Sequence, residues 1–519
     1  MKTKQQYLYN ALLAAAVTLL MRTVSVAFNV YISGRVGAEA MGLLSLVGGV
    51  YSFAVTLATS GIHLATVRTL SERLQRSGGR ENRKCLQACL SYAAFFGSLA
   101  TVLLFLLAKP IGLLVLKDTR TVKALTMLSF TLLPIAVSAV FNGYFTAVRR
   151  AYKNAIAQIS EQAVKITFTS YLLTAVAPKS TEGGLIAILM GGAVAEALTL
   201  ALNLVLFLLD KRRYKGVTQQ KNTAPVRVAA VALPVAISAY MRSGLLTIEH
   251  ILIPRGLSAY GAGSAAALAA YGTLQGMALP VILYPAAILS SFSALLIPEI
   301  TEQQSANNRH EIRYIAGRAY QISLLFSIGT AAVMLFLSRE LGTVLYKNTQ
   351  VGYFIKCLAP LIPIMYLDTA TDALLKGLGE QVYSMNVNIA DALLSVVLVF
   401  FLVPRIGIHG YIVTIYVTEI FNAALSIVRL LRVSSFRPRP VRLLLFPLLS
   451  ALGAAALANI LFHYIMVPQN GGGLTVHVGS FLILYATLLI LTGTLPRQDL
   501  KWLKNLFFCK REPSCVEKS

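Results

Sequence analysis

Charge is scarce in this 519-residue chain: 13% of its residues are Asp, Glu, Lys or Arg, while 56% are hydrophobic. Soluble domains carry about 25% charged residues, so a water-soluble globular protein is excluded. Acidic residues are scarcer still, 21 against 46 basic, for a formal charge of +25. On a soluble chain that excess would point to nucleic acid. Here the basic residues gather in short segments between apolar runs, where they set membrane topology, and no nucleic-acid partner is expected. Cysteine is sparse, at Cys85, Cys89, Cys357, Cys509 and Cys515. Cys85 and Cys89 are one helical turn apart, but no His or further Cys completes a metal site, and they read as incidental thiols. The chain has no Gly-rich phosphate loop with a following Lys, no His-Glu-x-x-His and no polar stretch long enough for an ATPase or a glycosyltransferase. It is not expected to be an enzyme or to need a cofactor, unless a coupling ion (Na+ or H+) counts as one. The first apolar run is too long for a cleaved signal core.

Long apolar runs are what the chain has instead. The expected fold is an all-α polytopic membrane protein of fourteen spans, near residues 8–33, 41–66, 86–108, 123–147, 155–177, 184–209, 228–253, 264–290, 315–338, 353–375, 382–403, 408–430, 443–467 and 474–495. Pro134, Pro234, Pro280, Pro285, Pro360 and Pro363 fall within these runs and are expected to kink them. With the N-terminus inside, the cytoplasmic segments hold 32 basic residues and the outer segments 10, with 4 within spans. That bias puts both termini in the cytoplasm.

The runs repeat. Met21-Arg22-Thr23 in the first span returns as Met241-Arg242-Ser243 in the seventh, and Arg35 returns as Arg255, both at an offset of 220. Glu161 in the fifth span meets Asp391 in the eleventh at an offset of 230, and Glu196 in the sixth meets Glu419 in the twelfth at 223. Six spans per unit is an even number, so the units are parallel repeats about an axis along the membrane normal, a known transporter plan. The expected domains are an N-terminal lobe at 1–210, a basic cytoplasmic linker at 211–227, a C-terminal lobe at 228–432, spans thirteen and fourteen at 433–496, and a cytoplasmic tail at 497–519.

An ionisable residue at membrane depth is a functional-site candidate. An arginine at the bilayer centre costs about 2.5–3.5 kcal/mol on insertion scales unless it faces water or a partner charge. Arg22 and Arg242 are therefore expected to line a central cavity, or to be paired with Glu161 or Glu249. Arg35 and Arg255 fall at span ends, where they add positive charge for a substrate or snorkel to the outer interface. Glu249 and His250 lie two turns after Arg242 and either bind a coupling cation or proton or neutralise Arg242. Glu161 and Lys165 suit an intrahelical pair. Glu161 and Asp391 join Glu249 and His250 as candidates for ion coupling or charge balance, and Glu196 and Glu419 read as ties between helices.

Several stretches resemble a known group. Phe141-Asn-Gly-Tyr-Phe-Thr-Ala-Val and Ala157-Gln-Ile-Ser-Glu-Gln-Ala-Val-Lys-Ile166 resemble its signature around spans four and five. Glu249-His-Ile-Leu-Ile-Pro-Arg-Gly-Leu257, Ser293-Ala-Leu-Leu-Ile-Pro-Glu-Ile-Thr-Glu302 and Lys376-Gly-Leu-Gly379 resemble segments of spans seven, eight and ten. With Arg22, these make the chain similar to the multidrug/oligosaccharidyl-lipid/polysaccharide exporter (MOP) superfamily, in the branch of the stage V sporulation protein B-like and lipid II flippase proteins. The resemblance implies two six-helix bundles around a cationic, alternating-access cavity in a bacterial plasma membrane. It implies carriage of an undecaprenyl-pyrophosphate-linked cell-wall precursor from the inner to the outer leaflet, with the lipid-linked oligosaccharide, the bilayer and cell-wall synthesis enzymes as the partners to consider. Relatives often carry a second basic residue about two turns after the first-span arginine, where this chain has Phe28-Asn29. The competing readings are a cation-coupled drug antiporter of the same superfamily and a non-transporting membrane scaffold.

Overall fold

The structure is a computed structural model that describes residues 2–76, 83–176, 180–213, 228–435, 441–465 and 471–494. Most of the basic linker and all of the C-terminal tail, with Cys509 and Cys515, lie outside the described residues. The chain order is α1 (Lys2–Thr59), α2 (Ile62–Arg76), α3 (Arg83–Pro110), α4 (Arg120–Ser129), α5 (Leu132–Ala147), α6 (Ala151–Tyr171), α7 (Thr181–Arg213), α8 (Val228–Ala259), α9 (Ser264–Tyr271), α10 (Leu279–Leu283), α11 (Ala286–Ser305), α12 (Arg309–Phe336), α13 (Ser338–Glu340), α14 (Thr349–Leu358), α15 (Ile362–Gly377), α16 (Gln381–Ile406), α17 (Ile408–Ser434), α18 (Phe446–Ile465) and α19 (Gly471–Leu491). π-Helical turns extend α3 at Ile111–Val115 and α9 at Gly272–Ala278. Among the described residues there is no strand, as the apolar runs require. In hydrocarbon every backbone N–H and C=O must be satisfied within its own segment.

Eleven helices are long and apolar enough to cross a membrane among the described residues, twelve if the bent pair α4–α5 counts as one span. Fourteen were expected, and three local features account for the difference. The first two runs form one helix, α1, that kinks at Gly37, whose φ of 80° only glycine adopts without strain. The fourth run bends by 41° between Ser129 and Leu132. The fifth, α6, carries Lys153, Asn154, Gln158, Glu161 and Lys165 and is too polar to count by composition. The prolines divide in the same way. Pro280, Pro360 and Pro363 take the first positions of short helices, where a missing N–H costs nothing. Pro285 precedes α11 and Pro134 lies in the first turn of α5. Pro234 sits inside an unbroken α8, where a kink was expected.

The chain forms two compact units. The first comprises Met1–Tyr284 and Met385–Thr418. In it the second half of α1 runs antiparallel along α8. Thr247 Oγ1 donates to the Gly49 carbonyl at 2.9 Å, Thr56 Oγ1 donates to Ser243 Oγ at 3.2 Å, and the Ser60 and Tyr240 hydroxyls bond further along. Nearer the Gly37 kink the same stretch meets α9 and its π turn, with backbone against backbone. A Cβ added to Gly42 would fall 1.9 Å from the Leu268 carbonyl oxygen, and one added to Gly272 would fall 2.2 Å from that of Ala38.

The second unit comprises Pro285–Ser384 and Glu419–Ser519. Here α12 carries the last two helices: Tyr485 Oη donates to the Leu325 carbonyl at 2.9 Å and Gln321 Nε2 to that of Thr494 at 2.9 Å. Arg429 makes a two-pronged ion pair with Glu380 at 2.9–3.1 Å, and Lys376 pairs with Asp372 at 2.5 Å.

Candidate functional site

α1 places Arg22 well inside its first half, exposed and with no ion pair among the described residues. The alternative of a structural pair with Glu161 or Glu249 is therefore not realised in this structure. Next to it, Thr23 Oγ1 donates to the Leu19 carbonyl at 3.0 Å and meets Tyr284 Oη at 3.1 Å, which joins the first span to the eighth. Arg242 is likewise exposed on α8. Its electrostatic partner is Asp391 on α16, with no contact close enough to be an ion pair. Arg35 is exposed with its guanidinium over the Tyr31 ring, 5.5 Å from the centroid. Arg255 behaves differently and donates to the carbonyls of Leu114, at 3.0 Å, and Val115. These are terminal carbonyls of the π turn that ends α3, which lack helical partners.

Behind Arg242 lies a polar cluster. Glu249 is buried, 8% exposed, with the Ser395 hydroxyl and Asp391 of α16 as its polar neighbours. Asp391 and Ser395 are one turn apart on α16, so both face α8. Tyr271 and Tyr411 are buried beside Glu249 and feel its charge, and Tyr411 Oη donates to Gln275 Oε1 at 3.2 Å. His250, although adjacent to Glu249 in sequence, points elsewhere. Its Nδ1 bonds Tyr271 Oη at 2.8 Å and its ring packs on Gly49. Successive helical residues are about 100° apart, which separates these two candidates. Glu161 does not join this cluster. It lies half-buried on α6, with Lys165 four residues on as expected and with Glu196 of α7 as its like-charged neighbour. Tyr51 of α1 faces that pair while its hydroxyl bonds Thr131 Oγ1 at 2.5 Å.

Sequence reading missed Ser395, Tyr271, Gln275 and Tyr411. Only Ser395 carried a signal, its spacing of four from Asp391. Tyrosines in membrane helices are too common to stand out. Among the described residues no three His, Cys, Asp or Glu side chains converge as a metal site, and Cys85 and Cys89 are buried thiols that are not joined in a disulfide.

The model of the polysaccharide biosynthesis protein family matches residues 7–304. The chain belongs to that family. A second family model, MatE, matches residues 257–401. Stage V sporulation protein B of Bacillus subtilis (strain 168) is 26% identical over 416 residues, which cover 78% of this chain and 80% of the relative. Lipid II flippase MurJ of the same organism is 23% identical over 415 residues, covering 73% and 74%. A solved lipid II flippase MurJ in an inward closed conformation aligns with a TM-score of 0.69 at 12% identity, over 94% of this chain and 100% of that one. An inward-facing multidrug resistance MATE family transporter of the MOP superfamily aligns at 0.64 and 14% identity, over 82% and 98%. The expected likeness to the MOP superfamily is borne out, and the polysaccharide biosynthesis family member described here is a multi-pass membrane protein with the fold of these transporters.

Proposed function

We propose that this transporter is an alternating-access flippase that carries an undecaprenyl-pyrophosphate-linked cell-wall precursor, lipid II or a related oligosaccharide lipid, from the inner to the outer leaflet of a bacterial plasma membrane. The observation that carries the reading is the pair Arg22 and Arg242. Both are exposed at span depth, neither is in an ion pair among the described residues, and they come one from each sequence repeat. Such arginines are costly without an anion, and a pyrophosphate offers oxygens that suit planar, bidentate guanidinium groups. Arg35 and Arg255 are the outer positive positions of the same two spans. The parallel six-helix repeats, at 1–210 and 228–432, supply the two sides of the cavity. Glu249 and Asp391 offset part of the Arg242 charge and form the place where a coupling cation, Na+ or H+, would act on it. The relation to the lipid II flippase MurJ over most of both chains supports the lipid-linked class of substrate.

The MatE match over 257–401 spans Asp391 and the Tyr271 side of the polar cluster and favours a second reading, a cation-coupled drug antiporter. The same experiment separates the two. Arg22→Ala and Arg242→Ala are each expected to abolish flipping of purified lipid-linked substrate in proteoliposomes while the protein inserts normally. Lys at either position is expected to rescue poorly, because a point charge cannot reproduce the planar fork. Full flipping by both alanine variants would overturn the reading.

A further inference from the structure

The Glu161–Glu196 pair belongs to a polar path that the proposed substrate site does not use. The register of α6 against α7 is fixed at three points. Thr169 lies under Gly191, where an added Cβ would come within 1.9 Å of Oγ1. Glu161 faces Glu196. Lys153 donates to the Leu206 carbonyl at 3.0 Å and pairs with Asp210 at 2.5 Å. The helices are therefore antiparallel, and Glu196, Asn203 and Asp210, seven apart, share the face of α7 that meets α6. Asn203 is 0% exposed, and neither its amide nitrogen nor its amide oxygen has a partner among the described residues. By register it lies opposite Asn154, whose Oδ1 is also unpartnered while its Nδ2 donates to the Asn142 carbonyl at 3.2 Å. Asn142 Oδ1 and Asp210 Oδ2 are unpartnered as well. Beyond the carboxylates, Thr169 is 0% exposed with an unpartnered hydroxyl.

A buried polar atom without a partner costs about 1–3 kcal/mol, and natural proteins relieve that cost with ordered water. The row of such atoms between Asn203 and Asp210 is where a file of water would complete the missing hydrogen bonds. The charges at its inner end do not balance. Glu161 and Glu196 carry two negative charges against the one positive charge of Lys165. Among the described residues the other group facing them is Tyr51 of α1, whose hydroxyl bonds Thr131 just before α5 and which brings no positive charge. A metal ion would have to compete with the Lys165 ammonium for only two carboxylates. We propose that Glu161 and Glu196 together bind one exchangeable proton, delivered along the Asn203–Asn154–Asp210 path from the end of the α6–α7 pair where Arg150 and Lys153 meet Asp210. This site is separate from Glu249 and Asp391. It rests on the transporter reading for its purpose, as an energy-coupling site, but not for its chemistry.

The test is infrared difference spectroscopy on the purified full-length protein in lipid nanodiscs, stepped in pH without substrate. The wild type is expected to show a carboxylic-acid carbonyl band that is lost as pH rises and is unaffected by sodium. Charge balance makes a specific demand: Glu161→Gln and Glu196→Gln should each remove that band, because the surviving carboxylate is neutralised by Lys165. Lys165→Met should enlarge it. Asn203→Leu should keep the band but slow its response to a pH jump. A band that survives in both glutamine variants, or that sodium abolishes in the wild type, overturns the proposal. So does an Asn203→Leu protein that responds as fast as wild type. None of these readouts depends on Arg22 or Arg242, so failure here leaves the flippase reading untouched, and failure of flipping leaves the band to be judged alone.

Discussion

Arg120 shows how one side chain can hold several others. It donates to both oxygens of Asp118, at 2.7–3.1 Å, and to Glu39 Oε1 at 2.8 Å. Glu39 follows the Gly37 kink and Asp118 precedes α4, so the guanidinium fastens the turn of α1 to the α3–α4 connection. Burial acts to raise the Asp118 carboxyl, but the hydrogen bonds and charge of Arg120 outweigh it and hold the group below the usual carboxylate range. A depressed folded-state value contributes stability that is present above the unfolded value and lost as pH falls through the folded one. The melting temperature of the detergent-solubilised protein should therefore fall as pH drops below about 4, and Asp118→Asn should remove part of that slope. An Asp118→Asn melting profile parallel to wild type throughout would show that the ion cluster is not the cause.

Helices in this protein meet through small residues, as membrane helices do when no hydrophobic force draws them together. The contact of α1 with α9 and its π turn is the extreme case. Gly42 and Gly272 approach so closely that even a methyl group would collide with backbone, which cannot move aside as a side chain can. Overpacking of this kind costs about 1–3 kcal/mol. Gly42→Ala and Gly272→Ala should lower the melting temperature, whereas Gly48→Ala, with open space around it, should not. Equal melting of all three variants would mean that the two helices part easily. A second feature at this scale is a reversal of charge. In the first repeat Arg150 pairs with Asp210, and in the second Glu380 pairs with Arg429, at sequence offsets of 230 and 219. Each pair ties a helical hairpin to the last helix of its own repeat, and the polarity is exchanged while the tie is kept.

At the scale of the whole molecule, topology and driving force follow from charge. The bias of 32 basic residues to 10 predicts that a cysteine at Lys117 is labelled by an impermeant reagent from outside intact cells and one at Arg313 is not. Labelling of Arg313→Cys from outside would reverse the assignment. The same charges bear on the transport cycle. Asp391 acts on Arg242 and Arg22 has no ion pair among the described residues, so on the flippase reading the empty carrier would hold a positive charge that a pyrophosphate cancels. Returning the empty site toward an inside-negative cytoplasm then gains up to about 2.3 kcal/mol per charge per 100 mV, scaled by the fraction of the field crossed. In proteoliposomes an inside-negative potential should accelerate outward flipping, and collapsing it with valinomycin and matched potassium should slow it. Flipping that ignores potential but stops when a sodium or proton gradient is removed would refute this and turn attention to Glu249.

The sequence by itself determined the class of fold, because a chain with so little charge and so many long apolar runs can satisfy its backbone only as membrane helices. It also singled out Arg22, Arg242, Glu161, Glu249 and Asp391, because an ionisable group in such a run is rare enough to be conspicuous. Three-dimensional packing decided where each of them sits and what it meets. Glu249 and His250 are neighbours in sequence yet face different helices. Glu161 and Asp391 match in the repeat yet lie in separate clusters. Arg255, equivalent to Arg35, caps carbonyls that only folding brings within reach. Asn203 gave no signal in the sequence, since its importance lies in having no partner, and partners are a property of packing. The span count differed for the same reason: whether a glycine or proline ends a helix, bends it or lies quietly within it depends on the neighbours that hold the backbone there.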